Sequence, residues 1–338
     1  MDIIIKSFNR PYYLERCIRS IYQFVTGEFT ITVLDDGTPP AYLEKISFLF
    51  PEVIILRSAL YNQKVLAIHD HVIRKKPFNR LEIPISLWTS HVASCSGIFL
   101  LLEDDIWLTA SVDLRQVKQE MERHNMVILK LYWGNNPSII KGKITPVSPL
   151  AEEVKPNILP LPKGVLKLLF YNKFKVSSFL YRIGLIPDGI QFQMPFYDLY
   201  GVASCFFDKK YWMHLWENTQ VTVDESKQLL KAVEWYREKQ SNYGKSRHQL
   251  TNTSFLSSVT NRPYKDVHFD TFIFNHYLNE YWLRGELDPM QNFPDDLTTD
   301  YIKAMLDAVN DPRASYQEWI KWTHCFKEQY RNIGAIIE

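Results

Sequence analysis

Short apolar runs alternate with amphipathic stretches through the first third of this 338-residue chain, and each run stops at a polar cluster. That pattern constrains the fold more than any other feature. Residues 2–6 (DIIIK) are β-branched and end at Ser7, Asn9, Arg10 and Pro11. Leu14, Cys17, Ile18, Ile21 and Val25 then recur at helical spacing. A second run, FTITVLDDGTPP (29–40), closes in a turn where Gly37 and two prolines stop it. The spacing predicts a helix near 41–49, a strand at 53–57 (VIILR) and helical stretches at 64–75 and 84–95. The run GIFLLLEDDIWL (97–108) stops abruptly in three carboxylates, and MVILKLYW predicts a further strand at 126–133. The order β-α-β-α-β-α-β predicts an α/β fold with a mostly parallel, twisted sheet and helices on both faces.

After Trp133 the character changes. Residues 134–195 are rich in proline and poor in periodicity. Within them, Lys155, Lys163, Lys167, Lys173, Lys175 and Arg182 occur between 155 and 186 without one acidic residue. A strand at 201–208 (GVASCFFD), a helix at 209–217 and a long polar helix at 224–240 are predicted next. Residues 241–265 read as a loop, 268–285 as a helix, and 298–331 as one or two terminal helices.

Lysine and arginine total 39 against 38 acidic residues, so whole-molecule charge gives no reason to expect nucleic acid as a partner. An apolar fraction of 46% excludes a mostly disordered chain. Four cysteines lie far apart with no metal-finger spacing, which predicts free thiols in a reducing cytoplasm. The start MDIIIKSFNRP has no signal-peptide pattern, and no run approaches the ~18 apolar residues of a membrane span.

Ligands of open parallel sheets bind outside the carboxyl ends of the strands. Three strand ends here carry polar clusters: Ser7–Arg10, Asp35–Gly37 and Glu103–Asp105. Three adjacent anions repel one another unless cations or hydrogen bonds hold them. Carboxylate oxygens with phosphate oxygens suit Mg²⁺ or Mn²⁺. Alternation along the strand sets Glu103 and Asp105 on one face. The competing reading is a solvated acidic loop that caps the next helix.

The strings IIIKSFNRPYYLERCIRSI, ITVLDDGTPP and FLLLEDDIWL, in that order over residues 1–135, resemble the nucleotide-binding half of a GT-A glycosyltransferase of the family 2 kind. GVASCFFDKKYW (201–212) resembles the later strand and helix beside the acceptor site. The resemblance implies a Rossmann-like GT-A core. Residues 1–135 would be its nucleotide-sugar half and 136–290 its acceptor-side half, with a lid-like basic insertion at about 150–195. Residues 291–338 would form a C-terminal helical extension. It also implies metal-assisted, inverting transfer of a sugar from a nucleotide-diphospho-sugar to a saccharide or lipid-linked saccharide, with UDP-sugars foremost.

Site roles follow from the same resemblance. Asp36 would accept a hydrogen bond from the base, while Asp35 supports the turn. Asp104 would lie by the ribose, and Asp105 would ligate Mn²⁺ or Mg²⁺, with Glu103 in a position where Asp is commoner. Lys6, Ser7, Asn9, Arg10 and Lys64 would meet nucleotide phosphate or base edges. Asp270 is the first candidate for the catalytic base, with Asp208 and Asp224 in reserve; an Asp at a helix start is equally an N-cap. His268 is a candidate third metal ligand. The family's "ED" and "QxxRW" signatures are absent. Trp88, Trp107, Tyr132 and Trp133 could stack on a sugar or pack in the core.

The basic stretch 155–186 reads either as a lid or as an amphipathic segment on the inner face of an anionic membrane. Three other functions compete. A nucleotidyltransferase would carry a Gly-rich stretch after its first strand, which SFNRPYYL lacks. A glycoside hydrolase needs carboxylates on two sides of its substrate. A non-catalytic nucleotide-sugar-binding homologue would keep the fold and lose turnover.

Overall fold

A computed structural model describes residues 1–78, 82–131, 139–254 and 264–336. The first half runs β1 (Asp2–Ser7), α1 (Pro11–Phe24), β2 (Val25–Thr26), β3 (Thr30–Asp35), α2 (Pro40–Leu49), β4 (Ile54–Arg57), α3 (Tyr61–Arg74), α4 (Ile85–Ser94) and β5 (Ile98–Glu103). β6 (Ile106–Leu108), β7 (Val112–Asp113), α5 (Leu114–Arg123) and β8 (Met126–Lys130) follow. The middle contains β9 (Lys143–Pro146), β10 (Ala151–Lys155), α6 (Lys163–Phe170), α7 (Val176–Arg182), α8 (Gly189–Gln193), β11 (Cys205–Asp208), α9 (Lys209–Trp216) and α10 (Glu225–Glu238). β12 (Asn242–Ser246) and β13 (Thr251–Thr253) lead to α11 (Thr271–Leu283), α12 (Thr299–Val309) and α13 (Tyr316–Arg331).

Nine strands form one sheet in the order β4-β3-β1-β5-β11-β8-β12-β10-β9. The first four are parallel, as expected from the sequence. β11 then inserts antiparallel between β5 and β8, and the rest of the sheet is mixed. Two small ribbons pair β2 with β7 and β6 with β13.

The sheet is apolar on both faces because consecutive residues point to opposite sides. Ile3, Ile5, Leu100 and Leu102 face a core built with α1, α11, α12 and α13. Ile4, Phe99 and Leu101 face a second core with α4, α9 and α10. Prolines at the first turns of α1 and α2 fix φ where a backbone donor is not needed. All four cysteines are unpaired. No described helix is long and apolar enough to cross a membrane.

The stretch 241–265, expected as a loop, instead supplies β12 and β13, and the aperiodic region 134–195 supplies β9 and β10. NYGKS in β12 is short and polar, so its strand character comes from pairing between β8 and β10. Strands from beyond residue 135 complete the sheet that residues 1–135 begin. The C-terminal helices are also tied to the first half. Trp282 Nε1 donates to Glu15 Oε2 at 2.6 Å, and the Tyr42 hydroxyl donates to Glu280 Oε1 at 2.6 Å.

Candidate active site

Parallel pairing brings the carboxyl ends of β1, β3 and β5 to one edge, with Ser7 opposite Asp35 and Lys6 opposite Glu103. There a cleft of ≈ 1630 Å³ opens. Its lining includes Lys6, Ser7, Phe8, Arg10, Asp36, Lys64 and Glu103, together with His71, His268, Asp270, Phe272 and Arg313.

Neighbouring aspartates after β3 do different work. Asp35 is fully buried and accepts from Gly37 N at 3.0 Å, Thr38 N at 2.9 Å and Thr38 Oγ1 at 2.5 Å. Burial outweighs those donors and pushes its carboxyl up to about 6. Asp36 turns into the cleft, where it forms an ion pair with Lys64. Burial raises its pKa despite that cation. Gly37 has φ +140°, and a Cβ there would lie 2.7 Å from the Cβ of Lys64. Only glycine lets this turn approach α3 so closely.

The turn after β1 is held by the acidic triplet. Phe8 N donates to Asp104 Oδ2 at 3.0 Å, and Arg10 Nη2 lies 2.6 Å from Asp104 Oδ1. Arg10 also pairs with Asp105, and Lys6 Nζ lies 2.8 Å from Glu103 Oε1. Burial pushes Asp104 up to about 7, against the pull of Arg10. It also raises Asp105. For Glu103 burial acts in the same sense, but Lys6 and Arg10 together outweigh it and hold the carboxyl below its ordinary value.

These contacts revise several expectations. Asp104 is fully buried and serves the β1–α1 turn rather than the cleft. Asn9 is buried with φ 55°; its N–H donates to Thr38 Oγ1 at 2.9 Å and its carbonyl accepts from Asn279 Nδ2 at 3.1 Å, so its part is to fix the turn. Ser7 does line the cleft, and its buried Oγ has no hydrogen-bond partner among the described residues.

The expected metal set of Asp105, Glu103 and His268 is not assembled. Among the described residues, no three His, Cys, Asp or Glu side chains form a group that could hold a metal. Asp105 turns to Arg10, Glu103 to Lys6, and His268 lines the cleft as an exposed residue. A carboxylate buried as fully as Asp104, with partly buried Glu103 and Asp105 beside it, requires counter-charge, and two cations from the first strand and turn supply it. The donor set as arranged does not fit a divalent ion.

Asp270 is both things the sequence left open. Its Oδ1 caps α11, accepting from Phe272 N at 3.0 Å and Ile273 N at 3.3 Å, while the side chain lines the cleft. Its Oδ2 lies 2.6 Å from His71 Nε2, and His71 Nδ1 lies 2.7 Å from the Lys76 carbonyl. Both ring nitrogens of His71 thus face oxygen acceptors. Asp208 and Asp224 cap α9 and α10, accepting from Tyr211 N at 3.0 Å and Lys227 N at 3.1 Å, and neither lines the cleft.

His71 carries no sequence signal, since 199 positions separate it from Asp270. The aromatic wall is equally tertiary: Phe78 and Phe272 lie 4.3 Å apart between centroids, with Phe8 6.2 Å from Phe272. Of the expected aromatic set, Trp88 lines the cleft, with Lys6 Nζ 4.9 Å from its ring centroid. Trp107 is core, fully buried, with Nε1 donating to the Pro294 carbonyl at 2.8 Å. Tyr132 and Trp133 lie outside the described residues.

No family model matches the chain, and no curated protein matches it. Among solved structures it is similar to S. aureus TarS, with 12% identity over 91% of this chain and a TM-score of 0.42; the chain spans 42% of that one. It is also similar to TarS 1–349 in complex with UDP-GlcNAc, at 12% identity, covering 99% of this chain and 83% of that one, with a TM-score of 0.39. The galactosyltransferase LgtC, in complex with donor and acceptor sugar analogs, is similar at 12% identity over 69% of this chain and 70% of that one, with a TM-score of 0.33. The functional reading rests on the chemistry of the cleft.

Proposed function

We propose that this chain is a nucleotide-sugar glycosyltransferase of the GT-A kind, with the strand-end cleft as its donor site. One observation carries the reading: Asp36, Lys64, Lys6 and Arg10, from three separate chain segments, converge on one cleft large enough for a nucleotide-diphospho-sugar. Asp36 would accept a base N–H, and Lys6, Arg10 and Lys64 would meet nucleotide phosphate or base edges. Phe8, Phe78 and Phe272 offer aromatic faces to the base or the sugar.

Asp270, across the cleft, would act on a saccharide or lipid-linked saccharide acceptor. Its Oδ2 has a second lone pair beside the one facing His71. As the acceptor oxygen forms its bond to the anomeric carbon, Oδ2 takes the hydroxyl proton. The bond to the β-phosphate breaks, and the electron pair leaves on the nucleoside diphosphate. Fixed cations stabilise that growing charge without reorganising. His71 holds the carboxylate in position. Attack from the side opposite the leaving group inverts the anomeric centre.

Thermal melting with UDP, GDP, CDP or TDP, in Mn²⁺ and in EDTA, tests the donor site. A nucleotide present at 100 times its Kd adds about 2.7 kcal/mol to stability. We expect one nucleotide, UDP first, to shift the melt in EDTA as well as Mn²⁺, and Asp36→Asn to lose the shift. No shift with any nucleotide would sink the donor-site reading. A shift seen only with Mn²⁺ would show that a metal displaces Lys6 and Arg10 from the triplet.

A further inference from the structure

The densest run of exposed large apolar side chains among the described residues lies between α6 and α8, away from both cores. Phe174 is 90% exposed and Leu185 68%, with Phe179, Tyr181 and Ile183 also open to solvent. These side chains do not belong to a loose tail. Leu166, Leu169 and Phe170 of α6 are buried in the second core, and Leu180 and Ile186 pack against it. The backbone presents Phe174 outward from a turn in which Asn172, Phe174 and Lys175 all have left-handed φ, at 44°, 54° and 58°. Non-glycine residues in that region cost energy, and such strain persists only where the surrounding structure holds it.

Lys167, Lys173, Lys175 and Arg182 alternate with these apolar residues along the same segment, and all four are exposed. No acidic residue occurs between 155 and 186. Lys163 and Lys155 find Glu234 and Glu153, but among the described residues no carboxylate lies within ion-pair distance of the other four cations. Exposed aromatic and aliphatic side chains interspersed with unneutralised cations match an anionic bilayer surface, where the tips enter the headgroup boundary and the cations meet lipid phosphate. A second copy of the chain fits poorly, because a two-fold contact would set Lys173 and Lys175 near their own counterparts.

We propose that residues 163–186 form a docking surface for an anionic lipid bilayer. The surface is tied to the cleft: the Tyr171 hydroxyl donates to Asp224 Oδ2 at 2.6 Å, and Asp224 directly follows Val221–Val223 of the cleft wall. This inference stands on the patch alone and survives if the donor-site reading fails.

Flotation of the full chain with vesicles tests it, using phosphatidylcholine alone and equal parts phosphatidylcholine and phosphatidylglycerol. Wild type should float with the anionic vesicles at low salt, stay behind with phosphatidylcholine, and be released as salt rises. Replacing both Lys173 and Lys175 by Ala should weaken partitioning about thirtyfold. Phe174→Ser should weaken it about tenfold. Unchanged melting curves would show that the variants fold, as expected for exposed side chains. Failure of wild type to float at low salt would overturn the proposal, as would binding indifferent to all three substitutions. Concentration-dependent self-association abolished by the same substitutions, with no flotation, would assign the face to a second copy instead.

Discussion

Asp35 and Asp36 are adjacent in sequence and opposite in role, because the strand end turns one carboxyl into the turn and the other into the cleft. The titration of Asp35 has a defined consequence for stability. Its folded pKa, about 6, lies above the ordinary value of 3.8. Between those values the native state binds more proton than the unfolded chain, so stability from this group is present at acid pH and lost as pH rises through about 6. The group should make the fold about 2 kcal/mol less stable near neutral pH than near pH 4. Urea denaturation across that range should show the slope in wild type and a flatter one in Asp35→Asn. An identical slope in both would show that folding does not move the Asp35 pKa.

At the scale of elements, three aspartates considered as bases all begin helices, and the cap is common to them. What distinguishes Asp270 is where α11 starts: against α3, so that the cap residue meets His71 and the cleft. Asp208→Ala should cost about 1 kcal/mol of stability through the lost cap and leave the nucleotide shift intact. Asp270→Asn retains a capping oxygen, so it should stay folded and still bind nucleotide while sugar transfer falls at least a hundredfold. Release of free nucleotide with an accepted saccharide measures that loss. Transfer at the wild-type rate would remove Asp270 from the reaction.

At the scale of the whole molecule, the two halves are joined by strand pairing, a shared core and buried hydrogen bonds. β5 pairs with β11 from beyond residue 200, and α11 closes the core over α1. Arg16, fully buried, donates through Nη1 to the carbonyls of Pro289 at 3.0 Å and Gln291 at 3.2 Å. A chain ending at residue 135 would expose one sheet edge and strand those buried polar groups. It should show no cooperative thermal transition by circular dichroism, whereas the full chain should. A sharp transition in the fragment would show that the nucleotide half folds alone.

Local patterns determined the parallel core and much of its rim. Continuous β-branched runs such as DIIIK, helical spacing in α1 and the stops at Ser7, Asp35 and Glu103 are written within a few residues of one another. Short-range chemistry of that kind survives in a linear reading. Tertiary structure alone decided the rest. Whether Glu103, Asp104 and Asp105 gather a metal or meet Lys6 and Arg10 depends on what burial brings alongside them, 95 positions away in the case of Arg10 and Asp105. The polar strand β12 exists because β8 and β10 flank it. The pairing of His71 with Asp270 has the same origin: charge compensation and strand pairing act through space, and sequence distance does not record them.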